Sequence, residues 1–192
     1  MDEPWHFINP DDPNDTALLE MVDGHIGNLA RALRTNNSER AAFETAWMAH
    51  AITDGLTPAH HFPLEQAMAE LRGGEGLETR TSILKKNLMK GDNGIELIKN
   101  NWKFWGAKGM MTTHVAFEAG VASVVAYPRF KDAIPSDDEI LQVKNHGYRA
   151  YYLDQVHSVA SMKMYDNFSK SGWTTDLAWQ TNHELMPIII KS

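Results

Sequence analysis

The chain has 192 residues, enough for one filled core, and its 43% hydrophobic and 22% charged content is that of an ordinary globular domain. A formal charge of -7 gives the chain no overall basic character to advertise long duplex nucleic acid, whose binding rests on Lys and Arg contacts to phosphate. With no cysteine, disulfides, thiolate zinc sites and a cysteine nucleophile are all excluded.

Residues 4–14 hold three prolines among Asp and Asn and read as an irregular lead-in. Asp15 suits an N-cap, and Leu18, Leu19, Val22, Ile26, Leu29, Ala30 and Leu33 follow at helical spacing in one apolar stripe. Thr35-Asn36-Asn37 interrupts it. Ser38 can cap a second helix, with Phe43, Ala46, Trp47, His50 and Asp54 along one face. Gly55 and Pro58 end that helix and put His60 beyond a turn. A further helix is expected over 63–71, stopped by Gly73-Gly74, and a short one around 82–89.

Asp92 suits the cap of a helix through Ile95, Leu97, Ile98, Trp102 and Trp105. Gly106 and Gly109 separate it from a helix over 110–127, which Tyr127-Pro128 closes. Ser136-Asp137-Asp138-Glu139 has capping-box form and opens a long helix expected to reach about Asn167, with Gly147 inside it. Thr174 or Thr175 caps a last helix that passes Leu177, Trp179 and Leu185, with Pro187 near its end. No segment alternates with period two, so the expected fold is all-α, a single-domain bundle of about six to eight helices. No apolar run approaches the ~20 residues of a transmembrane segment.

His50 and Asp54 stand one helical turn apart, as do His114 and Glu118, a spacing that puts both side chains of a pair on one face. Imidazole and carboxylate are both common zinc donors. Taken separately, His50 reads more simply as a hydrogen-bonded core histidine, and His114–Glu118 as a solvated helix pair. Together with His60 after Pro58, and with Asp54 on what reads as an apolar face, they point to a metal site.

The run His50-x3-Asp54-x3-Pro58-x-His60, followed by His114-x3-Glu118, resembles the core of the zinc-dependent phospholipase C and single-strand nuclease superfamily. The preceding NLARALRTNNSERAAFETAW resembles the helical hairpin that leads into that motif. The segment Trp5-His6-Phe7-Ile8-Asn9-Pro10-Asp11-Asp12 is similar to one whose histidine is a further ligand, matched here by His6. The resemblance covers residues 5–62 and 110–127, and leaves 62–109 as a variable insertion between the two ligand helices.

The resemblance implies that His6, His50 and Asp54 hold one zinc, and His60, His114 and Glu118 a second. It also implies that Asp54 bridges metals and orients the attacking hydroxide. The implied activity is hydrolysis of a small phosphate ester or phospholipid head group, in the manner of a phospholipase C. A single-strand nuclease-like phosphodiesterase and a non-catalytic or decayed metal-binding helical protein are the alternatives. Members of the superfamily carry an N-terminal tryptophan, a further histidine and a separate aspartate upstream of the position of His6, whereas only five residues precede His6 here. A third zinc therefore lacks its ligands and the first loses a carboxylate; Glu3, Asp23 and His25 are the candidate substitutes, although His25 reads more simply as a capped or surface histidine. The resemblance implies a secreted protein. The start MDEPWHFINP lacks the basic start and apolar core of a signal peptide, and a natural start at Met1 would imply a cytoplasmic one.

Among the other histidines, His61 reads as a neighbour of the site or a solvent residue, and His146 and His183 as helix-face residues. His157 reads as a solvated pair with Asp154. Trp102, Phe104 and Trp105 suit the lining of a substrate cleft, but six tryptophans in an all-α chain read more simply as packing residues of the helical core.

Overall fold

A computed structural model describes residues 6–130 and 133–192. The described residues form helices joined by turns, with no strand among them. The helices are α1 (Ala17–Arg34), α2 (Ser38–Gly55), α3 (Leu64–Leu71), α4 (Ile83–Asn87), α5 (Gly94–Trp105), α6 (Met110–Val125), α7 (Asp137–His146), α8 (Tyr148–Ser161), α9 (Met164–Ser171), α10 (Thr175–Gln180) and α11 (Met186–Lys191). A 3-10 turn, Pro58–His61, follows α2. The all-α class is as expected. No helix among the described residues is long and apolar enough to cross a membrane.

α1 and α2 form an antiparallel hairpin, because the link of Thr35 to Asn37 is too short for any other arrangement. The cap of α2 is Asn37 rather than Ser38: its side chain accepts from the Arg40 N–H at 3.0 Å. Asp15 likewise does not cap α1. Its carboxylate accepts from the Asn9 N–H at 2.8 Å and ties the lead-in to the hairpin. The expected apolar stripe also ends early, since Leu33 is exposed and Ala32 is buried in its place.

The largest correction on α2 concerns its expected apolar face. Phe43 and Trp47 are 48% and 38% exposed, and the inward side is instead Ala41, Glu44, Ala51, Ile52 and Gly55. Small residues on that side let α1 approach closely, which leaves the two large rings at the rim.

Asn93, not Asp92, caps α5 through the Glu96 N–H, while the Asp92 N–H donates to the Glu96 carboxylate. The Ser136–Glu139 capping box forms as expected. The long helix it was expected to open does not. Gly147 adopts φ 87° and ψ 149° and ends α7, and Lys163, at φ 52°, separates α8 from α9. At the C-terminus, α10 passes through a π-turn, Thr181–Leu185, into α11. Pro187 lies in the first turn of α11, directly after that wider turn.

Two apolar clusters fill the interior. The larger joins Leu18, Leu19, Val22, Ala51, Ile52, Leu56, Phe117, Tyr152, Val156 and Leu185, among others. The smaller is Phe7, Leu64, Met68, Met89 and Phe104, so the 62–109 region has a core of its own. The lead-in threads between them, with Phe7 in the smaller cluster and Ile8 in the larger.

Candidate metal centre

Six side chains gather at that seam in two groups of three: His6, His50 and Asp54, and His60, His114 and Glu118. Within each group the nearest donor atoms all lie within 4.8 Å of one another. Each sequence-derived pair is therefore joined by a further histidine: His60, read from its place after Pro58, and His6, placed by resemblance.

α2 presents His50 and Asp54 one turn apart, with His50 Nε2 at 3.2 Å from Asp54 Oδ2. His6 reaches the same oxygen through Nδ1 at 2.5 Å. The end of α2 is held by Tyr152, whose buried hydroxyl donates to the Ile52 carbonyl at 3.0 Å. This needs a glycine at 55, since a Cβ there would run into that hydroxyl.

The second group forms where the 3-10 turn meets α6. Glu118 Oε1 lies 2.9 Å from His60 Nε2 and 3.1 Å from His114 Nε2. His60 and His114 are both buried, and Phe7 stacks on the His60 ring with centroids 4.8 Å apart. Burial works against charge on Glu118, but the hydrogen bonds from His114 and His60 outweigh it and hold the carboxyl at about 2. Burial also works against charge on His60. Glu118, Asp54 and the His6 carbonyl together overcome it and raise the imidazole above its ordinary value.

The groups are linked where His60 Nδ1 donates to the His6 carbonyl. The Ile8 N–H donates back to the His60 carbonyl at 3.1 Å. With Nδ1 committed to a carbonyl, the His60 ring is oriented so that Nε2 faces Glu118, the device by which ligating histidines are usually aimed. A proton on Nε2 and a metal ion are alternative cations for that position. The buried Nδ1 of His114 has no partner among the described residues. Two imidazoles and one carboxylate converging in this way can hold a metal ion. The donor set suits zinc but also other first-row metals.

The groups differ in access. The His50 side chain is 50% exposed and, with Ala46 and Trp47, lines an open hollow of about 310 Å3. A roomier cleft of about 910 Å3, bordered by Arg72, Lys90 and Lys103, includes none of the six residues.

The candidate substitutes do not join in. His25 Nδ1 lies 2.5 Å from a Glu44 carboxylate oxygen, and Arg40 pairs with the other oxygen. Glu44 has no exposed surface, and the hydrogen bond from His25, with the Arg40 guanidinium beside it, lowers its carboxyl. Asp23 pairs with Arg149 at 3.3 Å across the surface. Glu3 lies outside the described residues, as does Trp5. His61 donates to the Gly55 carbonyl, and His157 donates to the Pro10 carbonyl rather than pairing with Asp154. The role of Phe7 was missed in the sequence, where nothing but its place beside His6 could have marked it.

Compared with protein families, curated proteins and solved structures, the chain has no significant match.

Proposed function

We propose that the chain is a zinc-dependent phosphoesterase of the phospholipase C-like kind, hydrolysing a small phosphate ester. The observation that carries this reading is the pair of neighbouring groups, each of two histidines and one carboxylate, linked by the hydrogen bond from His60 to the His6 carbonyl. Three protein donors are the number found in catalytic zinc sites, whereas structural sites usually close with four. When bound, zinc supplies Lewis acidity, lowering the pKa of water and offsetting charge on phosphoryl oxygens.

The chain's own residues then divide the work. Asp54 is the proposed catalytic carboxylate, partly exposed beside His50 and suited to orient the attacking water. His60 and Phe7 keep water from the deep side, the one by its two hydrogen bonds and the other by stacking. The hollow at Trp47 and His50 is the proposed approach for substrate.

A second reading, a metal-fastened helical protein without turnover, is favoured by one observation: His25 and Asp23, the candidate further ligands, are engaged elsewhere and add nothing to the two groups of three. One assay separates the two. Protein loaded with two equivalents of zinc is tested on chromogenic phosphodiesters and monoesters, phosphatidylcholine and single-stranded oligonucleotides. Hydrolysis abolished by chelation and by Asp54→Asn supports the enzyme, and the preferred substrate chooses between its phospholipase and nuclease forms. Full loading with no hydrolysis leaves the second reading. No metal uptake removes both.

A further inference from the structure

α5 carries two apolar faces, and one of them is covered. Phe104 is fully buried in the smaller core cluster. On the other side, Ile95, Ile98, Trp102 and Trp105 follow at steps of three, four and three, and are 82%, 70%, 69% and 45% exposed. α4 adds Ile83 and Leu84, and the turn after it adds Leu88, all exposed. These two tryptophans are thus not core residues, contrary to the expectation from sequence. A run of large apolar side chains of this kind marks a docking surface.

The surface is held rigidly. Trp105 Nε1 donates to the Asn87 carbonyl at 2.7 Å, which fastens the end of α4 to α5. The Asn101 side chain accepts from the Met89 N–H and donates to the Met89 carbonyl, and Asn100 donates to the Lys90 carbonyl.

Charge indicates what covers it. Residues 83–108 hold six lysines, Lys85, Lys86, Lys90, Lys99, Lys103 and Lys108, against two carboxylates, Asp92 and Glu96, in a chain of formal charge -7, and one of the six, Lys90, is paired with Glu75. Lys99 and Lys103 are exposed and flank the apolar strip along one side of α5. Tryptophan and aliphatic side chains on one face, with lysines beside them, are the composition of helices that lie in the interface of an anionic bilayer. Protein interfaces, by contrast, are depleted in lysine, and a two-fold contact with a second copy would set this basic strip against its own like charge.

We propose that the exposed face of α5 docks on an anionic lipid bilayer, with Ile95, Ile98 and Trp102 entering the headgroup boundary and Lys99 and Lys103 facing lipid phosphates. The inference stands apart from the metal centre, so it is read in chelator. The probes are vesicles of phosphatidylcholine alone and of phosphatidylcholine mixed with phosphatidylserine. Co-sedimentation with the mixed vesicles only, a blue shift of tryptophan emission on binding and weakening by salt are expected. Ile98→Glu/Trp102→Glu and Lys99→Glu/Lys103→Glu should each weaken binding on the order of tenfold or more. The replaced side chains are mostly exposed, so helical circular dichroism of both variants should match the parent. No binding to the mixed vesicles, equal binding to both kinds, or binding that either double variant retains overturns the proposal. A dimer in vesicle-free solution that Ile98→Glu/Trp102→Glu dissolves would assign the face to self-association and overturn it as well.

Discussion

Glu118 and His60 show how one contact binds a site's electrostatics to stability. Glu118 ionises at about 2 in the folded chain against an ordinary 4.5, so its contribution is present above 4.5 and is lost as pH falls toward 2. His60 is shifted the other way, above 6.5, so its contribution is full below 6.5 and is lost as pH rises through the raised value. His61, which burial pushes down, opposes His60 by favouring the fold at higher pH. The net curve of the parent protein therefore mixes signs, and a variant isolates the pair. In metal-free protein, Glu118→Gln should lower the melting midpoint most between pH 4.5 and 6.5, with a gap from the parent that narrows on either side. Thermal melts of both proteins in chelator test this, and a gap that stays constant with pH would separate the contact from stability.

Gly147 decides the shape of the element it interrupts. The capping box at Ser136 was legible because its logic is local, two reciprocal bonds within one turn. The break at Gly147 was not, since an isolated glycine inside a helical pattern is compatible with a continuous helix. At φ 87° and ψ 149° the residue occupies a region that essentially only glycine adopts, and no atom lies within 4 Å of where a Cβ would sit. Gly147→Ala should therefore destabilise through backbone conformation alone, by about 1–3 kcal/mol in chemical denaturation. A continuous helix would give the opposite sign, a gain of roughly 0.5–1 kcal/mol.

Across the whole molecule, the two ligand groups join parts distant in sequence: the lead-in, the end of α2, the 3-10 turn and α6. A bound ion would cross-link these parts in the folded chain only, so its binding energy adds to folding. Zinc at a hundredfold its dissociation constant should add about 2.7 kcal/mol for each site filled, each raising the melting temperature by roughly 5–10 °C for a chain of this size. Calorimetry with and without zinc measures it. An unchanged midpoint at saturating zinc would mean that the ion does not hold these parts together.

Local spacing carried the all-α class, most helix boundaries to within a few residues, and the pairs His50–Asp54 and His114–Glu118. Each depends on periodicity or on one turn of helix, and so can be read from the chain alone. Long-range packing set the rest. Which side of α2 faces inward depended on how closely α1 could approach, and this turned Phe43 and Trp47 outward. The meeting of the two pairs at one seam depended on Phe7 and Ile8 lying in different clusters. The exposure of Trp102 and Trp105 followed from α5 spending its other face, at Phe104, on the smaller core. Apolar spacing shows that a helix has a face to bury, but only its neighbours in space determine which face that is.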